Sequence, residues 1–313
     1  YRPLQDEDFE ALSKAEVFEI ANDMQDSRLS LAGAQSKTGW FLPRGKDAKK
    51  AGSGDWMLPL GSAPSTHIVK IASTKHPDLP FNELICMTAA SAAGLEIARS
   101  EASDTIPGAF FSERYDRIWS NEPPSMSGFD VPLRLHQEDF CQAVGWPSYM
   151  KYETRPDSCY MALCGRLIRE QSSNVIADTQ MFARQVMVDY ALGNCDSHLK
   201  NHSFLYSPSW REKRLAPAYD IVCTTIMGYD HNLGIDIGDH RVIDGVTPED
   251  FEFMSQDLHL PLKMIKNIAA EVAEEVSAQL AELASATGDL GRVALKIQTD
   301  SVERMRVLEQ FSA

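Results

Sequence analysis

The chain has 313 residues, 43% of them apolar, with 30 Lys plus Arg against 45 Asp plus Glu and a net charge of −15. That apolar share excludes wholesale disorder and suits one large domain or two moderate ones. The acidic balance excludes this chain as the main grip on a nucleic acid, which needs clustered cations, yet leaves it able to dock a basic partner.

Along the chain, residues 6–24 are expected to form a short helix with Phe9, Leu12, Val17 and Ile20 at core positions. SRLSLAGAQSKTGWFLPRG then reads as strand, tight turn at Gly33, and strand, and residues 43–66 as loop. HIVKIA (67–72) is a β-rich strand. ELICMTAASAAGL follows as an Ala-rich helix ending near Gly94. AFFSERYDRIW (109–119) opens as an aromatic strand and turns charged, and the Pro/Gly/Ser-rich segment 120–132 is the expected linker or hinge.

Beyond it the pattern turns helical. HQEDFCQAVG and MALCGRLIREQ are short helices, and Asp178 is expected to cap DTQMFARQVMVDYALG, with Phe182, Val186, Met187, Tyr190 and Ala191 on one face. After the loop NCDSHLKN (194–201), HSFLYS and RLAPAYDIVCT read as two strands around a polar turn. Residues 261–285 form an amphipathic helix with Ile265, Ile268, Val272, Val276 and Leu280 inward. The expected fold is α+β, with a strand-rich lobe over 1–125, a mostly helical lobe over 126–313, and a ligand cleft between them.

Phosphoryl transfer from ATP needs a backbone turn near the phosphates, a Lys held by a Glu, oxygen ligands for Mg²⁺ and a carboxylate to accept the hydroxyl proton. Each part can be read in order. Asp196 and Asn201 have the Asp-x₄-Asn spacing of a base and a metal ligand, and Asp220 follows as the second metal ligand. Lys70 lies on a strand, Glu83 begins the next helix, Gly33 permits close backbone approach, and Lys37 could reach a phosphate. No His-Arg precedes Asp196, and there is no Asp-Phe-Gly, GxGxxG or Ala-Pro-Glu. An ordinary eukaryotic-type protein kinase is therefore excluded, and a distant kinase lineage remains.

Bland readings stand beside these. Lys37 could simply be a solvated surface lysine, and Asp196 only a turn residue. Cys195 and His198 read as a packed loop thiol and a structural imidazole rather than a thiol nucleophile. His198 and His202 lack the Glu of a zinc HExxH. The six cysteines contain no CxxC, so free buried thiols in a reducing compartment are expected. No signal peptide and no membrane-length apolar run is present, so a cytoplasmic chain is expected. Tyr1 stands where an initiator Met would, as in a trimmed chain.

The stretches SLAGAQSK, HIVK, ERYDR, RLHQEDFCQ, KYE, CDSHLKN and PAYDI resemble the HipA-like serine/threonine kinases, toxins of bacterial toxin–antitoxin systems, in their short HipT-like form. The resemblance implies a two-lobed protein-kinase-like fold. It also implies that Lys70 contacts ATP, Asp196 is the base, Asn201 and Asp220 hold Mg²⁺, Glu113 and Tyr115 mark the adenine hinge, and Asp116 lies near the ribose. Ser30 matches the serine that the family autophosphorylates to inhibit itself. The second serine of HipT-like proteins is replaced here by Ala32, and Ser27 is a weaker candidate. Implied partners are a DNA-binding HipB-like antitoxin, a small HipS-like protein and an aminoacyl-tRNA synthetase substrate, with growth arrest as the outcome. A small-molecule kinase of the aminoglycoside or choline type and a catalytically silent pseudokinase stay open as alternatives.

Overall fold

The structure is a computed structural model and describes residues 1–13, 37–72, 76–154 and 158–313. The chain divides into two compact units, Tyr1–Leu84 with Ala98–Leu135, and Ile85–Ile97 with His136–Ala313.

The first unit is built on a four-stranded antiparallel sheet, in the order Lys37–Trp40, His67–Ile71, Ala109–Glu113, Ser100–Ala102. β-Branched Ile68, Val69 and Ile71 suit a pleated strand. Val69 and Ile71 enter a core with Trp40, Trp56 and Phe111, where Trp56 stacks on Phe111 at 4.5 Å between ring centroids. Burying such side chains stabilises by roughly 1.5–3 kcal/mol each. The twofold strand period then turns Lys70 to the opposite face, beside its cross-strand partner Phe110. The helix Leu79–Ala92 follows and ends just before Gly94, which adopts φ 81°.

The expected linker at 120–132 is instead a hairpin within the first unit. Ser125–Met126 pairs with Phe129–Asp130. Ser127 and Gly128, at φ 53° and 81°, supply the two left-handed residues that a tight turn requires. Phe129 meets the rings of Tyr1 and Phe41, each at 5.9 Å. The Pro/Gly/Ser content serves that turn, and the aromatic contacts tie it down.

In the second unit the helix Val175–Leu192 is buried nearly all round and packs on Tyr160–Gln171, Leu262–Ala284 and Gly288–Ser312. Ile265, Ile268, Val272, Val276 and Leu280 are all buried, as their spacing predicts. Asp178 does not cap the central helix, which starts at Val175. It lies buried in the first turn, accepting from Ser172 Oγ at 2.6 Å, Arg214 Nη2 at 2.8 Å and the Leu215 N–H at 2.8 Å. A three-stranded sheet runs Gln137–Asp139, Ser203–Tyr206, Lys213–Leu215. The strand expected over RLAPAYDIVCT stops at Leu215, and the chain continues to a single bridge between Ala218 and Ile97. All six cysteines are free, five buried and Cys159 exposed. Among the described residues no helix is long and apolar enough to cross a membrane.

Candidate active site

In the first unit, Lys70 and Glu83 meet. Lys70 Nζ donates to both Glu83 oxygens, at 2.6 and 2.7 Å, and the residues are 3% and 2% exposed. A buried ion pair offsets its desolvation cost only with geometry of this quality. Lys37 stands directly across from Lys70 on the neighbouring strand, so two cations share one face of the sheet.

The other first-unit candidates divide. Glu113 is exposed at a strand end, its N–H donating to the Arg99 carbonyl at 2.7 Å, and Tyr115 sits in the turn that follows. Asp116 is buried and its carboxylate is already engaged. Arg114 donates to both oxygens at 3.0 and 2.7 Å, and Arg117 Nη1 to Oδ2 at 2.6 Å. Burial pushes its pKa up, but the hydrogen bonds and charges of the two arginines outweigh that and hold it below the usual carboxylate range. Asp116 therefore braces this turn through both of its oxygens. Gly33, Ser27 and Ser30 lie outside the described residues.

In the second unit, NCDSHLKN follows the central helix. The helix ends at Gly193, φ 75°, where an added Cβ would lie 2.4 Å from Thr225 Oγ1. The loop is then held at almost every residue. The Asn194 N–H donates to Asp189 O at 2.8 Å, the Cys195 N–H to Thr224 Oγ1 at 2.8 Å, and the Leu199 N–H to Lys151 O at 3.2 Å. Lys200 Nζ reaches Asp139 Oδ2 at 2.6 Å. Gly234 of the adjoining hairpin passes so close to Ser197 that a Cβ would lie 2.4 Å from its carbonyl oxygen. Asn194, Cys195, His198, Leu199 and Asn201 are buried while Asp196 is exposed, so one carboxylate projects from a rigid support.

Asn201 and Asp220 are joined by a residue that sequence reasoning missed. The Tyr219 hydroxyl donates to Lys200 O at 2.7 Å and shares a 2.7 Å contact with Ser203 Oγ, gripping both flanks of Asn201. Asp220 follows at φ 61°, a left-handed conformation that Asp tolerates better than most residues and that marks stored backbone strain. His198 is a common neighbour of all three candidates. Its N–H donates to Asn201 Oδ1 at 3.3 Å and its imidazole feels the charges of Asp196 and Asp220. Burial nevertheless lowers its pKa to about 4, so the ring is neutral near pH 7. Burial also pushes the Cys195 thiol up to about 11, leaving no thiolate for nucleophilic chemistry.

Asp189, one turn before the helix end, was also invisible in the sequence. It accepts from Asn194 Nδ2 and Ser197 Oγ, both at 2.7 Å, and burial raises its pKa to about 7 against those hydrogen bonds. A carboxyl raised in this way stabilises the fold below its unfolded pKa near 4 and loses that contribution as pH climbs to about 7. The stability of wild type relative to Asp189→Asn should therefore fall by roughly 1 kcal/mol per pH unit between pH 5 and 7, then level off. Urea unfolding at pH 5, 6, 7 and 8 measures this; a gap that does not change with pH would show Asp189 to be ionised throughout.

The residue types at 201 and 220 are of the kind that suit a hard cation such as magnesium. Asp220 and Asn201 offer hard oxygens, and Mg²⁺ characteristically takes one or two carboxylates together with substrate phosphates. Among the described residues no three His, Cys, Asp or Glu gather as a metal site.

Comparison with known proteins bears on the fold and the family. The chain superposes on HipA from the Shewanella oneidensis MR-1 complex of HipA, HipB and operator DNA with a TM-score of 0.73 at 23% identity, covering 99% of this chain and 73% of that one. The Helicobacter pylori proinflammatory kinase CtkA matches with a TM-score of 0.52 at 11% identity, covering 79% and 90%. The fold is thus α+β and kinase-like, as expected from the sequence. The family model of the HipA-like C-terminal domain matches residues 29–280, and the chain belongs to that family. The serine/threonine-protein kinase toxin HipA of Shewanella oneidensis is 28% identical over 273 residues, 82% of this chain and 57% of that protein. Y4mE of Sinorhizobium fredii is 28% identical over 265 residues, 84% and 59%. The chain thus spans under two thirds of the length of these two curated relatives.

Proposed function

We propose that this chain transfers the γ-phosphoryl group of ATP to a serine or threonine hydroxyl of a protein, and acts as the toxin of a toxin–antitoxin pair. The observation that carries the reading is the exposed Asp196 carboxylate on a buried, many-times-anchored loop, with Asn201 and Asp220 linked through Tyr219. In this reading Asp196 accepts the proton of the attacking hydroxyl, and Lys70, aligned by Glu83, meets the nucleotide phosphates with Lys37 as a second cation. Asn201 and Asp220 hold Mg²⁺, which when bound would neutralise phosphate charge. Glu113 and Tyr115 supply backbone to adenine.

The proposed protein substrate is an aminoacyl-tRNA synthetase, whose modification would arrest translation. Shewanella HipA has been seen in a complex with HipB and operator DNA, which supports a HipB-like antitoxin that contacts DNA in place of this acidic chain. A small HipS-like protein is a second proposed partner. Phosphorylation at Ser30, or at Ser27, would add about −1.5 to −2 charge at pH 7 to the proposed phosphate-covering turn and repel ATP.

The test is transfer from γ-labelled ATP with Mg²⁺ to a panel of purified synthetases and, in parallel, to aminoglycosides and choline. Label on a synthetase serine, absent with Asp220→Asn, is expected. Label only on a small alcohol would replace this reading with a small-molecule kinase, and binding of ATP without transfer to anything would make the chain a pseudokinase.

A further inference from the structure

Tyr152 carries a role that neither the motif spacing nor the family match assigns. Its hydroxyl donates to Asp196 Oδ1 at 2.5 Å, and among the described residues no other side chain donates to that carboxylate. The ring is clamped. Lys151 Nζ lies 4.6 Å from its centroid, and the His198 imidazole meets it edge-on at 4.9 Å and 73°. Its neighbours along the chain are fixed as well. Lys151 O accepts the Leu199 N–H, the Glu153 N–H donates to Gly234 O at 3.0 Å, and the Glu153 carboxylate accepts the Tyr160 and Asp236 N–H groups at 2.9 and 3.0 Å. The phenol is therefore aimed by the backbone on both sides of it.

We propose that Tyr152 is a positioning residue, holding the exposed Asp196 carboxylate by one oxygen so that the other is presented to the incoming hydroxyl. This rests on the reading of Asp196 as the base. An exposed aspartate otherwise samples several rotamers, and a fixed donor on one oxygen removes that freedom before substrate arrives. Burial and the adjoining Asp196 carboxylate both push the phenol's pKa up, so Tyr152 keeps its proton through the neutral range and acts as donor only.

The test compares wild type with Tyr152→Phe, which keeps the ring and its contacts with Lys151 and His198. In the full chain, kcat is expected to fall about tenfold with KM for ATP and the urea unfolding midpoint unchanged. A residue that only supports the fold would lower the unfolding midpoint and leave kcat of the folded enzyme in place. A second readout needs no activity. In labelled protein, the three-bond couplings of the Asp196 side chain should report a single χ1 rotamer in wild type and rotamer averaging in Tyr152→Phe. Averaged couplings already in wild type, or an unchanged kcat in Tyr152→Phe, would overturn the proposal and leave the phosphotransfer reading intact. A single rotamer lost in Tyr152→Phe, in a chain that transfers no phosphate, would uphold the positioning contact and sink that reading instead.

Discussion

Replacing Asp196 with Asn is expected to lower γ-phosphate transfer by about 10²–10⁴-fold, the usual worth of a general base, while ATP affinity stays within a factor of a few. The loop is anchored on Thr224, Lys151, Asp139 and Asp189 rather than through the exposed Asp196 side chain. An Asn amide oxygen can still accept from Tyr152, so the loop should persist and only the proton acceptor is lost. Single-turnover transfer and calorimetric ATP binding, measured side by side, check this. Transfer within tenfold of wild type would move the base elsewhere.

Breaking the Lys70–Glu83 pair should act on stability as well as on chemistry. Lys70→Met removes one partner of an ion pair only 2–3% exposed, and loss of one partner of a buried ion pair typically costs about 3–5 kcal/mol. Lys70→Met with Glu83→Leu should recover most of that loss, because an apolar pair of similar volume is often as stable as the ion pair. The double variant should nevertheless transfer no phosphate. Denaturant unfolding beside a transfer assay separates the two effects. A double variant that regains activity would show the pair to be structural only.

The sequence announced the Lys70 strand because its β-branched residues and twofold period are local properties, and the Leu262–Ala284 helix because its apolar positions recur every three or four residues. What it concealed depends on remote partners. Asp178 looked like a cap until Arg214 and Leu215 claimed its carboxylate. The hairpin at Ser125–Asp130 looked like a linker because Phe129 docks on Tyr1 and Phe41, more than 80 positions earlier. Tyr152, Asp189 and Tyr219 stand next to motif residues or one turn from the loop, but an isolated Tyr or Asp carries no signal of what it will bond. The helix Gly288–Ser312 buries Val293, Ile297, Met305 and Leu308 on its inward face. Even there, Arg304 and Ser301 are buried among those apolar positions and interrupt the stripe.

The buried imidazoles and buried carboxyls have a joint consequence for acid tolerance. His67, His198 and His202 have pKa values lowered to about 4, 4 and 3, chiefly by burial. Each takes up a proton on unfolding below about pH 6.5 and so weakens the fold as the solution is acidified from there toward 4. Asp189 and Glu153, raised to about 7 by burial, and Asp236, raised for the same reason, do the reverse: they keep protons that the unfolded chain has already released, and strengthen the fold as pH drops over nearly the same interval. Proton uptake and release on unfolding largely cancel, which makes for a nearly level stability curve through mildly acidic conditions, with sharp acid denaturation deferred until the arginine-paired carboxylates such as Asp116 begin to protonate.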